Sequence, residues 1–114
     1  MEMQPANLAS PLVIADRFEL DRRALESLLT EFHVRTLSLF GSAARGEMSE
    51  NSDVDLLVEF EPGMKPSLGG LVELRDSLSQ LLGGVPVDLV TPSILENPFR
   101  RRAICQDLKL LHAA

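Results

Sequence analysis

The hydrophobic positions along the chain recur at helical spacing in three places. After Asp21, a suitable N-cap residue, leucine and phenylalanine repeat on one face, which predicts a helix at about 21–32. The same spacing returns over 68–82, where Gly83-Gly84 supplies a C-terminal stop. A last helix is predicted from about 98 to 111.

Three shorter segments have the composition or the period of strands. Residues 34–40 are rich in β-branched and aromatic side chains and end at a turn, and residues 53–60 alternate between apolar and polar positions, as a strand with one core face does. Residues 85–90 predict a third strand, with Pro86 near its start or on an edge. The order α-β-β-α-β-α predicts an α/β protein with a small mixed sheet and covering helices.

Length favours one domain with one core. The chain has 114 residues, of which 45% are hydrophobic, and a chain of that size forms a single domain by default. Residues 1–15 contain two prolines and no clear period, which indicates a loose arm that ends in a short strand near 12–14. Residues 16–114 are then the domain itself.

Charge and cysteine content narrow the function classes. Seventeen acidic and 11 basic side chains give a net charge of −6, which disfavours unaided binding to long nucleic acid. The single cysteine, Cys105, excludes an internal disulfide and is expected to be buried. No export signal and no membrane span is apparent, so we expect a cytoplasmic protein. The chain has no tyrosine.

The turn after the first predicted strand is the first candidate for chemistry. Gly41 lets the backbone turn sharply and approach a ligand closely, and Ser42 adds a hydroxyl beside the amides of a helix start. Such a turn suits a triphosphate. Taken alone, such a pair is more often an ordinary turn.

Three carboxylates form the second candidate. Asp53 and Asp55 are two apart on one predicted strand and therefore project to the same face, and Asp88 lies on another predicted strand. If the two strands are neighbours, the carboxylates converge, and oxygen ligands without His or Cys select Mg²⁺ or Mn²⁺. This is the layout for two metal ions about 3.5–4 Å apart. Taken alone, the aspartates could form a solvated strand face.

At these residues the sequence resembles the minimal nucleotidyltransferases of the DNA polymerase β-like superfamily. GSAARG at 41–46, SDVDLLV at 52–58 and VDLVT at 87–91 match that family's Gly-Ser motif, Asp-x-Asp strand and third carboxylate. The resemblance implies the polymerase β palm-like fold. It also implies that Asp53, Asp55 and Asp88 are catalytic and bind two Mg²⁺ ions, and that Gly41 and Ser42 hold the phosphates of ATP, with Arg45 as a further phosphate contact.

The resemblance also implies a partner. Small members of this family are commonly antitoxins encoded beside HEPN-domain ribonuclease toxins, which they silence by transferring AMP from ATP to a toxin tyrosine. An acceptor on another protein agrees with the absence of tyrosine here. Two alternatives stay open: a non-catalytic antitoxin that occludes its partner, and an enzyme acting on a small hydroxylated molecule.

Two hypotheses account for the arginine triplet Arg100-Arg101-Arg102. The triplet opens the last predicted helix, where the helix dipole disfavours cations by about 0.3–1 kcal/mol each. The arginines either pair with the chain's own carboxylates or contact a nucleotide, a protein partner or RNA.

Overall fold

A four-stranded mixed sheet forms the centre of the molecule in the computed structural model, which describes residues 11–15, 17–49 and 51–114. The strand order is β5-β4-β3-β6, and only the β4–β5 pair is parallel. The elements, in chain order, are β1 Leu12–Ile14, β2 Phe18–Leu20, α1 Arg22–Glu31, β3 Val34–Phe40, α2 Gly41–Arg45, β4 Val54–Phe60, α3 Leu68–Leu81, β5 Val87–Val90, a 3₁₀ helix Pro92–Glu96, α4 Pro98–Gln106 and β6 Lys109–Ala113. The predicted α/β class with a small mixed sheet is confirmed.

One face of the sheet carries the main core. Helices α1 and α3 cover this face, and their buried leucines pack against the alternate residues Val54, Leu56 and Val58 of β4. The period of two predicted from the sequence therefore selects the buried side of β4 correctly.

The opposite face carries a second, smaller cluster. Phe40, Leu57 and Ile104 are buried together there, which brings α4 onto this side of the sheet. The prediction of a strand with a single core face is therefore incomplete. Leu57 shares its face with Asp55, two residues earlier on β4, so α4 lies on the carboxylate side.

Helix starts follow the capping residues closely. The Asp21 side chain accepts hydrogen bonds from the amides of Arg23 (2.9 Å) and Ala24 (3.3 Å). Ser67 caps α3 by accepting from the Gly70 amide at 3.2 Å. A Cβ on Gly70 would lie 2.8 Å from the Pro66 side chain, so this close approach explains a glycine in the first turn of α3.

The end of the chain differs from the prediction of a helix to residue 111. Helix α4 ends at Gln106, and residues 109–113 form β6, which pairs antiparallel with β3. The reason is tertiary, because β6 supplies hydrogen-bond partners to an edge of β3 that would otherwise be open. His112 of β6 also contacts Glu26 of α1, with 2.6 Å between Nδ1 and Oε2.

The start of the described chain is a hairpin. Strand β1, expected near 12–14, pairs antiparallel with β2, a strand that was not predicted, and Ile14 and Leu20 are buried in the main core. Residues 1–10 of the expected arm lie outside the described residues.

Two further observations concern Cys105 and membranes. Cys105 is exposed, so its expected burial is wrong, because α4 buries only Ile104. Within 11–15, 17–49 and 51–114, no helix combines the length and the apolar character that a membrane span requires.

Candidate active site

Strands β4 and β5 bring two of the three candidate carboxylates side by side. The strands run parallel with Asp55 opposite Asp88 in the register, so both side chains project to the same face. Asp53 lies one residue before β4 rather than inside it, and the amide of the following residue, Val54, donates to the Pro86 carbonyl at 2.9 Å. This bond keeps the start of β4 against the start of β5.

Gly41 lies directly against the carboxylate of Asp55. It follows β3 as the first residue of α2 and has φ +72°, a left-handed conformation that favours glycine. A Cβ at this position would overlap Oδ2 of Asp55 and lie 3.3 Å from its Cγ. Two features therefore require a glycine here: the positive backbone angle φ and the space that the Asp55 side chain occupies.

The start of α2 leaves donors available beside Asp55. Phe40 occupies its N-cap position and provides no capping hydrogen bond from its side chain. The Ser42 hydroxyl makes no hydrogen bond to another described residue. Uncapped amides and a hydroxyl at a helix start are suitable donors for phosphate oxygens.

The surroundings of Asp55 disfavour its ionised form. Burial raises the pKa of Asp55 above the ordinary carboxyl value, and the negative charges of Asp88 and then Asp53 raise it further. The positive charges of Arg100 and Arg45 act in the opposite direction. Like charges held this close favour a proton or a cation between them.

The oxygen ligands of the three candidate carboxylates suit Mg²⁺, although their side chains are not arranged as a complete ligand cluster. All three candidate ligands are carboxylates, and in the described part of the chain no three His, Cys, Asp or Glu side chains are arranged to hold a metal ion. Asp53 and Asp88 are exposed while Asp55 is half-buried. The two exposed side chains therefore have room to turn toward Asp55.

Arg45, the candidate phosphate contact, is engaged with carboxylates of the chain. Its guanidinium donates to Glu47 at 2.8 Å and to Asp107 at 2.8 Å. These hydrogen bonds raise the pKa of Arg45, so the side chain stays cationic. The contact with Asp107 ties the end of α2 to the end of α4, and a phosphate would have to compete with both carboxylates for the guanidinium.

Arg100 is a residue of this site that the sequence did not assign to it. Ile104 anchors α4 on the carboxylate face, and Arg100 lies four residues earlier, on the same side of the helix. The positive charge of Arg100 lowers the pKa of Asp55, in agreement with the place of Arg100 on the side of α4 that faces the carboxylates. The only signal in the sequence was the position of an arginine triplet in a first helical turn.

Comparison with known proteins gives consistent findings. A model of the nucleotidyltransferase domain family matches residues 21–111. Protein adenylyltransferase MntA of Thermococcus cleftensis is 46% identical over 88 residues, covering 70% of this chain and 86% of that protein. A Methanocaldococcus jannaschii protein named as a putative protein adenylyltransferase is 39% identical over 90 residues, covering 79% of this chain and 89% of the relative.

A solved structure has the same fold. The crystal structure of a toxin–antitoxin with AMP-PNP superimposes with a TM-score of 0.61 at 24% identity, covering 81% of this chain and 73% of the other. At this identity the likeness concerns the fold alone.

Proposed function

The chain belongs to the nucleotidyltransferase domain family, and we propose that it transfers AMP from Mg²⁺-bound ATP to a partner protein. The family match spans 91 of the 114 residues, as the bounds 21 and 111 give. The relatives described above are named protein adenylyltransferases, which supports AMP as the transferred group. The catalytic unit in this proposal is residues 16–114, and the reaction takes place in the cytoplasm, where ATP is plentiful.

One observation carries the proposal: the turn at Gly41 lies directly against the carboxylate of Asp55. A side chain on Gly41 would occupy the space that the carboxylate of Asp55 fills. Asp55 in turn lies opposite Asp88 on the neighbouring strand. A triphosphate bound at the start of α2 would therefore lie next to the oxygen ligands that its metal ions require.

In the reaction that we propose, a hydroxyl of the acceptor attacks the α-phosphorus of ATP and pyrophosphate leaves. Asp53 and Asp55 would hold Mg²⁺ against the triphosphate, and Asp88 would orient the attacking hydroxyl and accept its proton. Bound Mg²⁺ supplies charge neutralisation at the phosphates and lowers the pKa of a coordinated hydroxyl. Amides at the start of α2 and the Ser42 hydroxyl would donate to the phosphate oxygens.

The acceptor in this proposal is a tyrosine of a HEPN-type toxin. Phenol has a pKa of about 10 and needs assistance at neutral pH, which a carboxylate such as Asp88 can give. Because this chain has no tyrosine, the acceptor must be another molecule. The structural neighbour is a toxin–antitoxin complex, so the fold does occur beside a toxin.

Intact-mass spectrometry of a co-expressed partner toxin tests the proposal. We expect additions of AMP mass with the native chain and none with Asp88→Ala, while Asp88→Ala still binds Mg²⁺–ATP through Gly41, Ser42 and the Asp53–Asp55 pair. Asp76→Ala on α3 is the matched control, since Asp76 is an exposed aspartate bound to Arg75. An unmodified toxin that is nevertheless neutralised would contradict enzymatic transfer and favour occlusion.

A further inference from the structure

Helix α4 presents an almost completely exposed surface beside the carboxylates. Of its nine residues only Ile104 is buried, and it packs against Phe40 and Leu57 on the face that carries Asp55. A helix this short is marginal in isolation, so its position depends on that one anchor and on the Asn97 cap. The rest of α4 is open to a partner.

The arginines of α4 form no ion pair with any residue of the part of the chain that the structure describes. Arg100, Arg101 and Arg102 are all exposed, and among the described residues none of them lies within salt-bridge distance of a carboxylate. This holds in a chain with 17 acidic side chains. Among the described residues, the triplet therefore makes no direct ion pair with the chain's own carboxylates, although the charge of Arg100 acts on Asp55.

The three arginines occupy different positions around the helix. Arg100 is on the side of Ile104, and its charge acts on Asp55, so it belongs to the site. Arg102 is three residues from Phe99 and shares the outward side of α4 with it. Arg101 extends the positive charge between these two sides.

Phe99 adds an apolar anchor to this charge. Its exposed fraction is 85%, the highest among the exposed large hydrophobic residues of the described chain. Exposed aromatic and arginine side chains together are typical of the residues that dominate protein–protein interfaces. The net charge of −6 opposes a polyanion such as RNA, whereas a short acidic protein segment meets only the local positive surface.

We propose that Phe99, Arg101 and Arg102 form the docking surface for an acidic segment of the acceptor protein. This segment lies next to the hydroxyl that receives AMP. The inference rests on the proposed function for the identity of that hydroxyl. The docking surface itself is argued from charge: the exposed arginines of α4 lie beside the carboxylates of the site and are complementary to an acidic segment. An acceptor bound there enters the site past Arg100.

A nuclear magnetic resonance titration of the ¹⁵N-labelled chain tests the inference. The probes are a short peptide with a tyrosine between glutamates and a leucine, the same peptide with lysines in place of glutamates, and a short single-stranded RNA. Mg²⁺ and α,β-methylene ATP are present throughout, because this analogue binds without transfer. We expect the acidic peptide to shift the amide signals of residues 99–102 and the lysine peptide to leave them unchanged.

Substitutions with matched controls sharpen the titration. Arg101→Glu/Arg102→Glu should weaken binding of the acidic peptide about tenfold or more, and Phe99→Ala severalfold. Arg75→Glu and Leu68→Ala are the controls, since they change an exposed arginine and an exposed leucine (78%) of α3, on the other face of the sheet. All five positions are exposed, and the amide spectrum of each variant verifies its fold.

The outcomes separate the inference from the function on which it rests. Equal shifts with both peptides, shifts away from α4, or binding of the RNA in place of the acidic peptide would overturn the docking surface. The analogue alone should shift the amide signals of Gly41 and Ser42, and failure of that step would instead contradict the nucleotide site. Loss of peptide binding in Arg101→Glu/Arg102→Glu and weaker binding in Phe99→Ala, with native affinity in both controls, would support the inference.

Discussion

Gly41→Ala should separate the proposed effect of this residue on nucleotide binding from its effect on the backbone. Gly41 has φ +72°, and forcing an L-residue into the left-handed region costs about 1–2 kcal/mol of folding free energy. The new methyl group would also overlap Oδ2 of Asp55, and since a carboxylate can rotate, we expect about 0.5–1.5 kcal/mol more for an off-rotamer Asp55. The larger effect is on function, because Asp55 is moved away from the position where it would hold Mg²⁺.

Gly63→Ala is the matched control. Gly63 has φ +76°, nearly the same backbone angle, and a Cβ there would meet no atom within 4 Å. Both variants should lose the backbone contribution, which lowers the melting temperature by about 4–8 °C for a domain of this size. Only Gly41→Ala should weaken Mg²⁺–ATP binding and depress transfer.

Thermal melts by circular dichroism and Mg²⁺–ATP titrations by calorimetry measure the two effects on the same samples. Loss of nucleotide binding in Gly41→Ala alone, with a melting temperature somewhat below that of Gly63→Ala because of the displaced Asp55 side chain, would support the arrangement described here. Wild-type affinity and transfer in Gly41→Ala would refute the argument that the turn and the carboxylate share one site. Equal functional losses in both variants would refute it as well, since Gly63 contacts nothing in that site.

Three other perturbations have definite expected outcomes. Asp55→Asn should raise the melting temperature at neutral pH in Mg²⁺-free buffer. The folded-state pKa of Asp55 is raised, so ionisation of its carboxyl lowers the stability of the native chain as pH rises through that pKa, and the advantage of the variant should vanish in acid. A difference in melting temperature between variant and native chain that is the same at neutral and acidic pH would contradict this. Chelation of Mg²⁺ should strongly weaken ATP binding in calorimetry, and unchanged affinity would exclude a metal-bridged triphosphate. Ile104→Ala should cost about 2–4 kcal/mol in chemical denaturation, because Ile104 is the buried anchor of α4, and a loss within about 0.5 kcal/mol would mean that α4 is held by other contacts.

Local patterns in the sequence determined the elements whose signals are complete within a few residues. Strand β3 runs from Val34 to Phe40 as the pattern predicts, and α1 begins after its aspartate cap. Alternation along β4 fixed which residues enter the main core and therefore which face carries Asp55. These features follow from capping, side-chain period and glycine turns, all of which act between near neighbours.

Tertiary structure decided the features that depend on partners distant in the sequence. Residues 109–113 become β6 because the edge of β3 accepts them, although the sequence there suggested the end of a helix. The sequence predicted that Asp55 and Asp88 lie close together only if their strands are neighbours, and the structure shows that β4 and β5 are neighbours. Arg45 is bound by Asp107, 62 residues away, which no local pattern could indicate.

The carboxylate face gives the physical reason for this division. The sequence showed which side chains carry charge and which share a strand face, since the covalent chain fixes both. It could not show that Ile104 would anchor α4 on that face and bring Arg100 near Asp55, because this depends on which apolar surfaces remain to be covered after the main core has formed. The motifs and most elements were therefore determined locally, while β6 and the electrostatic surroundings of the site were determined by packing.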